Sequence, residues 1–169
     1  MKSVFIFLFL VAVSLNAQEK NKLITDEKSG KPMLIGLCDR SAFADTSFSW
    51  WFNSEYDIYN LDTATLASIA IGNKLNDYSI TVVMGSWCSD SRREVPRFYK
   101  ILDSLKYDQK KLTLFCVDRN KKDSSGEPAK FNIESVPTFI FLKNGVEKGR
   151  IVESPKETLE KDMFKILEK

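Results

Sequence analysis

Histidine does not occur anywhere in the 169 residues. Its absence removes Ser-His and Cys-His nucleophilic pairs, histidine general bases and histidine-ligated zinc. Any acid–base work falls to carboxylates, lysine, tyrosine or cysteine. Cysteine is scarce too, with three thiols at Cys38, Cys88 and Cys116. Without histidine beside them these do not make a structural zinc set, and neither a metal nor a cofactor is expected. No excess of one charge is present either: lysine and arginine number 25 against 23 acidic residues, and the two signs are interspersed. That pattern implies neither a broad basic surface for nucleic acid nor an acidic tail. Internal repeats and low-complexity blocks are also missing. With 43% hydrophobic and 28% charged residues, the chain has the balance of one globular domain rather than of a disordered segment.

A long apolar run is the next thing lacking. After Lys2 the run from Val4 to Val13 is too short to cross a bilayer, which takes roughly 20 residues. Small and polar residues then lead to Ala17. The segment 1–17 fits a secretory signal peptide cleaved near Ala17, with an uncleaved anchor as the competing reading. No cysteine follows the run closely, so an anchor lipid on an N-terminal cysteine is excluded. The expectation is a secreted or periplasmic protein with no membrane span after cleavage, in a compartment where thiols can oxidise.

Residues 18–60 read as an N-terminal extension. Its polar, lysine-rich start (18–32) looks like an arm, and Met33 to Cys38 is a short apolar run suited to an edge strand. Phe48, Phe52, Tyr56 and Tyr59 recur at helical spacing. This aromatic stripe covers a core or, on the sharper reading, forms a lid near a reactive cysteine. Asp62 is placed to cap a helix with Leu66, Ile69 and Ala70 on its apolar face. Ser79 to Met84 and Leu112 to Val117 have the apolar, β-branched pattern of buried strands. Between them, Val95, Phe98, Ile101, Leu102 and Leu105 share one helical side, and Glu94 and Arg97, three apart on the same helix, would form an exposed pair. Ala129 to Ile133 suggests a short helical turn and Pro137 to Leu142 a strand. Lys143-Asn144-Gly145 signals a hairpin, Val146 to Val152 the return strand, and Pro155 the start of a last helix. The order from Ser79 is β-α-β-α-β-β-α, a mixed sheet with helices on both faces.

At the first strand-to-helix junction stands GSWCSDSRREVP, Gly85 to Pro96. Trp87-Cys88 at that junction, Pro96 beyond it, and Val136-Pro137-Thr138 before the later strand together resemble the thioredoxin superfamily over residues 62 to 169. The resemblance implies an α/β thioredoxin-like fold for a domain at 61–169, with a central mixed β-sheet flanked by helices. It implies a cis-proline at Pro137 facing the active cysteine, with Trp87, Val136 and Pro137 contacting substrate. It also implies thiol–disulfide chemistry at Cys88. A cysteine at a helix N-terminus meets unpaired N–H groups and the positive end of the dipole, which favour the thiolate that attacks disulfides.

Two departures bear on function. Ser91 stands where the family carries its resolving cysteine, so the motif cannot close its own disulfide. Val82 stands where many thioredoxins carry a buried carboxylate. Asp90 opposes a charge on the sulfur, whereas Arg92 and Arg93 support one. Cys116 reads as a buried thiol inside a strand. Cys38, at a strand end, reads as exposed, and as a second thiol for Cys88 if the two approach within about 7 Å between Cα atoms.

The site residues expected are thus Cys88 and Ser91 for chemistry and Trp87, Val136 and Pro137 for substrate. Three functions follow. One is monothiol exchange on a protein or small-molecule disulfide, with release by an external thiol or partner reductase. The second is a redox-inactive binding module that uses the proline groove. The third is a redox sensor pairing Cys88 with Cys38.

Overall fold

The structure, a computed structural model, describes residues 19–169; the expected leader at 1–17 lies outside them. Six strands form one mixed sheet in the order β1-β2-β4-β3-β5-β6. At its centre β3 (Tyr78–Met84) runs parallel to β4 (Leu112–Cys116) and antiparallel to β5 (Thr138–Lys143). Side chains alternate across a strand. Ile80, Val82, Met84, Leu114, Cys116, Phe139 and Phe141 therefore enter one large core, while Val83, Phe115, Val117 and Val136 make a smaller cluster on the opposite face.

Among the described residues four α-helices flank the sheet: α1 (Thr46–Ile58), α2 (Thr63–Gly72), α3 (Ser89–Ser104) and α4 (Leu159–Leu167). All four send buried residues into the large core, among them Phe48, Leu66, Phe98 and Leu159. Among the described residues the α-helices do not lie on both faces, as the element order suggests they would, but pack into the one large core. The connection from β4 to β5 contains only a short 3-10 turn, Pro128–Phe131, and the small cluster is covered by Leu37, Trp87, Cys88, Phe131 and Ile133.

The N-terminal residues belong to the same sheet. β1 (Lys22–Thr25) pairs with β2 (Pro32–Cys38), and β2 pairs in turn with β4 through Gly36 opposite Cys116. β2 is thus an interior strand rather than an edge, because the polar stretch before it supplies β1. Of the aromatic stripe, Phe48 and Phe52 are buried in the core, with Phe43 stacked on Phe52 at 4.6 Å, while Tyr56 and the C-cap Tyr59 are partly buried against it.

The caps follow the chemistry of the side chains. Asp62 accepts the Thr65 N–H at 3.1 Å and its hydroxyl at 2.7 Å, which supplies a partner to an otherwise unpaired helix N–H. The β5–β6 hairpin, β6 being Val146–Val152, turns through Asn144 and Gly145 with φ of 53° and 76°, the left-handed pair of a type I′ turn. The last helix begins later than Pro155 suggests, because Thr158 is the residue whose hydroxyl accepts the Lys161 N–H at 3.1 Å. In α4 the fully buried Glu160 accepts the Tyr59 hydroxyl at 2.8 Å and the Asp62 N–H at 3.1 Å, fixing the α1–α2 link to the C-terminal helix.

Phe98 of α3 meets Phe139 of β5 with ring centroids 4.5 Å apart, deep in the large core. Truncating a buried phenylalanine removes its transfer energy and leaves a cavity. Phe98→Ala is expected to destabilise the fold by roughly 3–5 kcal/mol, read as a lower urea midpoint at unchanged slope.

Candidate functional site

β3 ends at Met84, and the chain turns through Gly85, Ser86 and Trp87 into α3, with Cys88 as its N-cap. The turn is closed by the Cys88 N–H donating to the Gly85 carbonyl at 2.9 Å. Gly85 is required there: a Cβ on it would lie 2.5 Å from the Trp87 ring. Trp87 is in turn held by its indole N–H, which donates to the Val117 carbonyl at 2.9 Å. Ser86 is fully buried and its hydroxyl accepts the Leu34 N–H at 2.9 Å, tying the turn to β2.

Cys88 is partly exposed, and its Sγ donates to the Val136 carbonyl at 3.3 Å. The Val136–Pro137 peptide bond is cis. The structure therefore brings Trp87, Cys88, Val136 and Pro137 together at one end of the sheet. Ser91 lies beneath them, fully buried, with its hydroxyl accepting the Gly85 N–H at 3.2 Å. It thus supports the turn from inside.

Cys38 is elsewhere. It is buried rather than exposed and belongs to the large core, whereas Cys88 packs against the small cluster. The thiol near Cys38 is Cys116. A hydrogen bond between these two thiols and complete burial hold the Cys116 thiol well above its ordinary pKa. Val82, in the place of the family's buried carboxylate, also faces the large core. Glu94 is buried rather than exposed, and its Oε1 accepts from Arg93 at 2.6 Å and from Arg97 at 3.5 Å.

Two cations beside the cysteine depend on tertiary structure. Arg119 lies over the Trp87 ring at 4.9 Å and makes a two-point ion pair with buried Asp26, at 2.9 and 2.7 Å. Asp26 sits in the β1–β2 turn, 93 residues away along the chain. No local pattern signals a pairing of that kind. Arg92 anchors its Nε to the Ser86 carbonyl at 2.6 Å. Burial pulls its pKa below the ordinary value, with the neighbouring Cys88 opposing that and nearby Arg119 reinforcing it. Asp118, after β4, accepts the N–H groups of Asn120 and Lys122 at 2.8 and 2.9 Å and shapes the loop. Among the described residues no group of histidine, cysteine or acidic side chains is placed to hold a metal, and no helix is long and apolar enough to cross a membrane.

A mixed sheet, a cysteine at the strand-to-helix junction and a cis X-Pro bond against its sulfur define a thioredoxin-like fold. The thioredoxin family model matches residues 70–165, more than half of the chain, and the chain belongs to the thioredoxin family. A thioredoxin from Mycoplasma genitalium is 32% identical over 79 residues, covering 47% of this chain and 72% of that protein. An H-type thioredoxin from Oryza sativa subsp. indica is 30% identical over 80 residues, covering 47% of this chain and 61% of that one. A solved structure, described as a protein of unknown function from Pseudomonas aeruginosa, has a TM-score of 0.50 at 17% identity, covering 79% of this chain and 86% of that chain. That last likeness is one of fold. Family membership supports thiol–disulfide redox function in general, with thiols or disulfides as substrates and reductases as partners.

The Asp26–Arg119 pair generates a pH test. Hydrogen bonds from Arg119, then Ser29, hold the Asp26 carboxyl well below the usual carboxylate range. A carboxyl whose folded pKa is depressed stabilises the fold fully above its unfolded value of about 3.9. That contribution is lost as pH falls toward the folded value. Between about pH 7 and about pH 3, the urea midpoint is expected to fall less in Asp26→Asn than in the parent. Parallel curves would mean the pair adds no acid-sensitive stability.

Proposed function

We propose that this protein carries out thiol–disulfide exchange through one sulfur, Cys88, and that it does so as a secreted or periplasmic protein. The observation that carries the reading is the placement of Cys88: partly exposed, at the N-cap of α3, with Sγ 3.3 Å from the Val136 carbonyl. Trp87, Val136 and Pro137 surround it as the contacts for a substrate chain. The Cys88 thiolate attacks one sulfur of a disulfide. The S–S bond breaks, a new one forms to Cys88, and the departing sulfur leaves as a thiolate that takes a proton from water. Cys88 is oxidised and the departing thiol is reduced. A second thiol, from a small molecule or a partner reductase, then attacks the mixed disulfide and restores Cys88. Ser91 holds the turn but supplies no sulfur for an internal disulfide.

One observation favours the alternative of a binding module that keeps the groove without turnover. Ser91 is a built-in part of the turn, fully buried and hydrogen-bonded to Gly85, so the serine has a structural use of its own.

The two readings part in one experiment. Reduced protein treated with a low-molecular-weight disulfide and mapped by mass spectrometry is expected to carry one adduct, on Cys88, with buried Cys38 and Cys116 unmodified. Excess external thiol should release the adduct, and Cys88→Ser should not form it. An unmodified Cys88 in folded protein would abandon exchange for the binding module. Ser91→Cys is expected to convert the adduct into an internal disulfide with Cys88, seen as loss of the bound group without added thiol.

A further inference from the structure

A cavity of about 250 Å³ opens beside Cys88 on the side of α1, lined by Trp50, Trp51, Glu55, Trp87, Ser89, Arg92 and Arg93. Trp87 and Ser89 are the two residues flanking Cys88 in sequence, so the cavity lies next to that position, though Cys88 itself is not part of its lining. Its α1 wall, Trp50, Trp51 and Glu55, lies outside residues 70–165 that match the family model.

The wall's charges are unequally satisfied. Glu55 is engaged by Arg97 at 3.0 and 2.8 Å. Arg93 is engaged by Asp90 at 2.8 Å and by Glu94 at 2.6 Å. Arg92 makes no ion pair among the described residues; its Nε contact is a neutral carbonyl, that of Ser86. Two further features lack partners. Trp50 is 65% exposed, an unusual state for so large an apolar side chain, and the buried indole N–H of Trp51 has no acceptor. A half-buried guanidinium without a carboxylate costs desolvation that an anionic ligand would offset. An exposed aromatic at the same wall offers apolar contact to the ligand's carbon chain.

We propose that this cavity is an accessory subsite that selects disulfides carrying a carboxylate close to the sulfur, with Arg92 taking the carboxylate and Trp50 and Trp87 the intervening carbons. The proposal rests on the reading of Cys88 as an exchange nucleophile. The exchange step is the one already described; the subsite sets which disulfide presents its sulfur to Cys88.

Three disulfides of similar size but different charge test it: 3,3′-dithiodipropionate, 2-hydroxyethyl disulfide and cystamine. The rate of adduct formation on Cys88 is measured for each and divided by the rate with a small free thiol under the same conditions. This division removes the intrinsic reactivity of each reagent. Comparing reagents on one protein likewise removes the reactivity of Cys88 itself. The normalised rate is expected to favour the dianion over cystamine by roughly tenfold or more at low salt, the lower range of electrostatic steering. Raising salt from about 0.01 M to about 1 M shortens the screening length from about 30 Å to about 3 Å and should remove most of the preference. Arg92→Gln should abolish it and Arg92→Lys should retain a large part. Equal normalised rates in the unaltered protein, or a preference unchanged in folded Arg92→Gln, would overturn the subsite and leave exchange standing. No reaction of Cys88 with any of the three would overturn both.

Discussion

Gly85 has no room for a side chain, because the Trp87 ring occupies the space where its Cβ would be, 2.5 Å away. Much of the site follows from that close approach. With the indole folded back against the turn and its N–H on the Val117 carbonyl, three residues carry the chain from the end of β3 to the N-cap of α3. Cys88 is then the first residue at the helix end, and its sulfur reaches the Val136 carbonyl. Ser86 and Ser91 satisfy backbone N–H groups of Leu34 and Gly85 from beneath, so the turn has no buried donor left without a partner at those points.

A second layer of support comes from the N-terminal strands. Asp26, in the β1–β2 turn, holds Arg119, and Arg119 covers the face of Trp87. α1 adds Trp50 and Trp51 to the side of the same tryptophan. Residues before the family-matched segment thereby shape the surroundings of Cys88 as well as completing the sheet. A two-point carboxylate–guanidinium pair, here with the carboxylate buried and the guanidinium partly exposed, is strongly directional. It fixes where Arg119 sits rather than merely adding attraction.

Where the chain's chemistry is local, it was legible. The strand-to-helix position of Trp87-Cys88, the Asp62 cap and the Asn144-Gly145 turn each depend on a few adjacent residues. What failed depends on partners distant in sequence. β1 is a short strand of mostly exposed residues whose reason for existing is its pairing with β2, so its own pattern is silent. Cys38 follows Leu37 at the end of β2, and only the register opposite β4 decides that it points into the large core. Glu94 reads as a surface residue because charged side chains usually are exposed, yet it is buried with two partly exposed arginines reaching over its carboxylate. Pro155 suits a helix start, but the hydroxyl of Thr158 is what meets the first free N–H groups. At the site itself the placement of Cys88 against the cis-proline loop was legible. The arginine lying on the tryptophan was not, since it needs the fold to arrive there.

The alternation along β2 and β4 sends Cys38 and Cys116 into one core, while Cys88 packs at the margin of the other. The sheet therefore acts as a partition for sulfur. On the proposed exchange reading, a bond made at Cys88 would have no neighbouring thiol within the molecule to undo it, and its lifetime would be set from outside, by how much free thiol the surroundings contain. In a thiol-rich medium the protein would reset quickly; in a thiol-poor one it would stay loaded. Under the exchange proposed for Cys88, the sheet's handling of side-chain direction would make the occupancy of that sulfur a gauge of its environment.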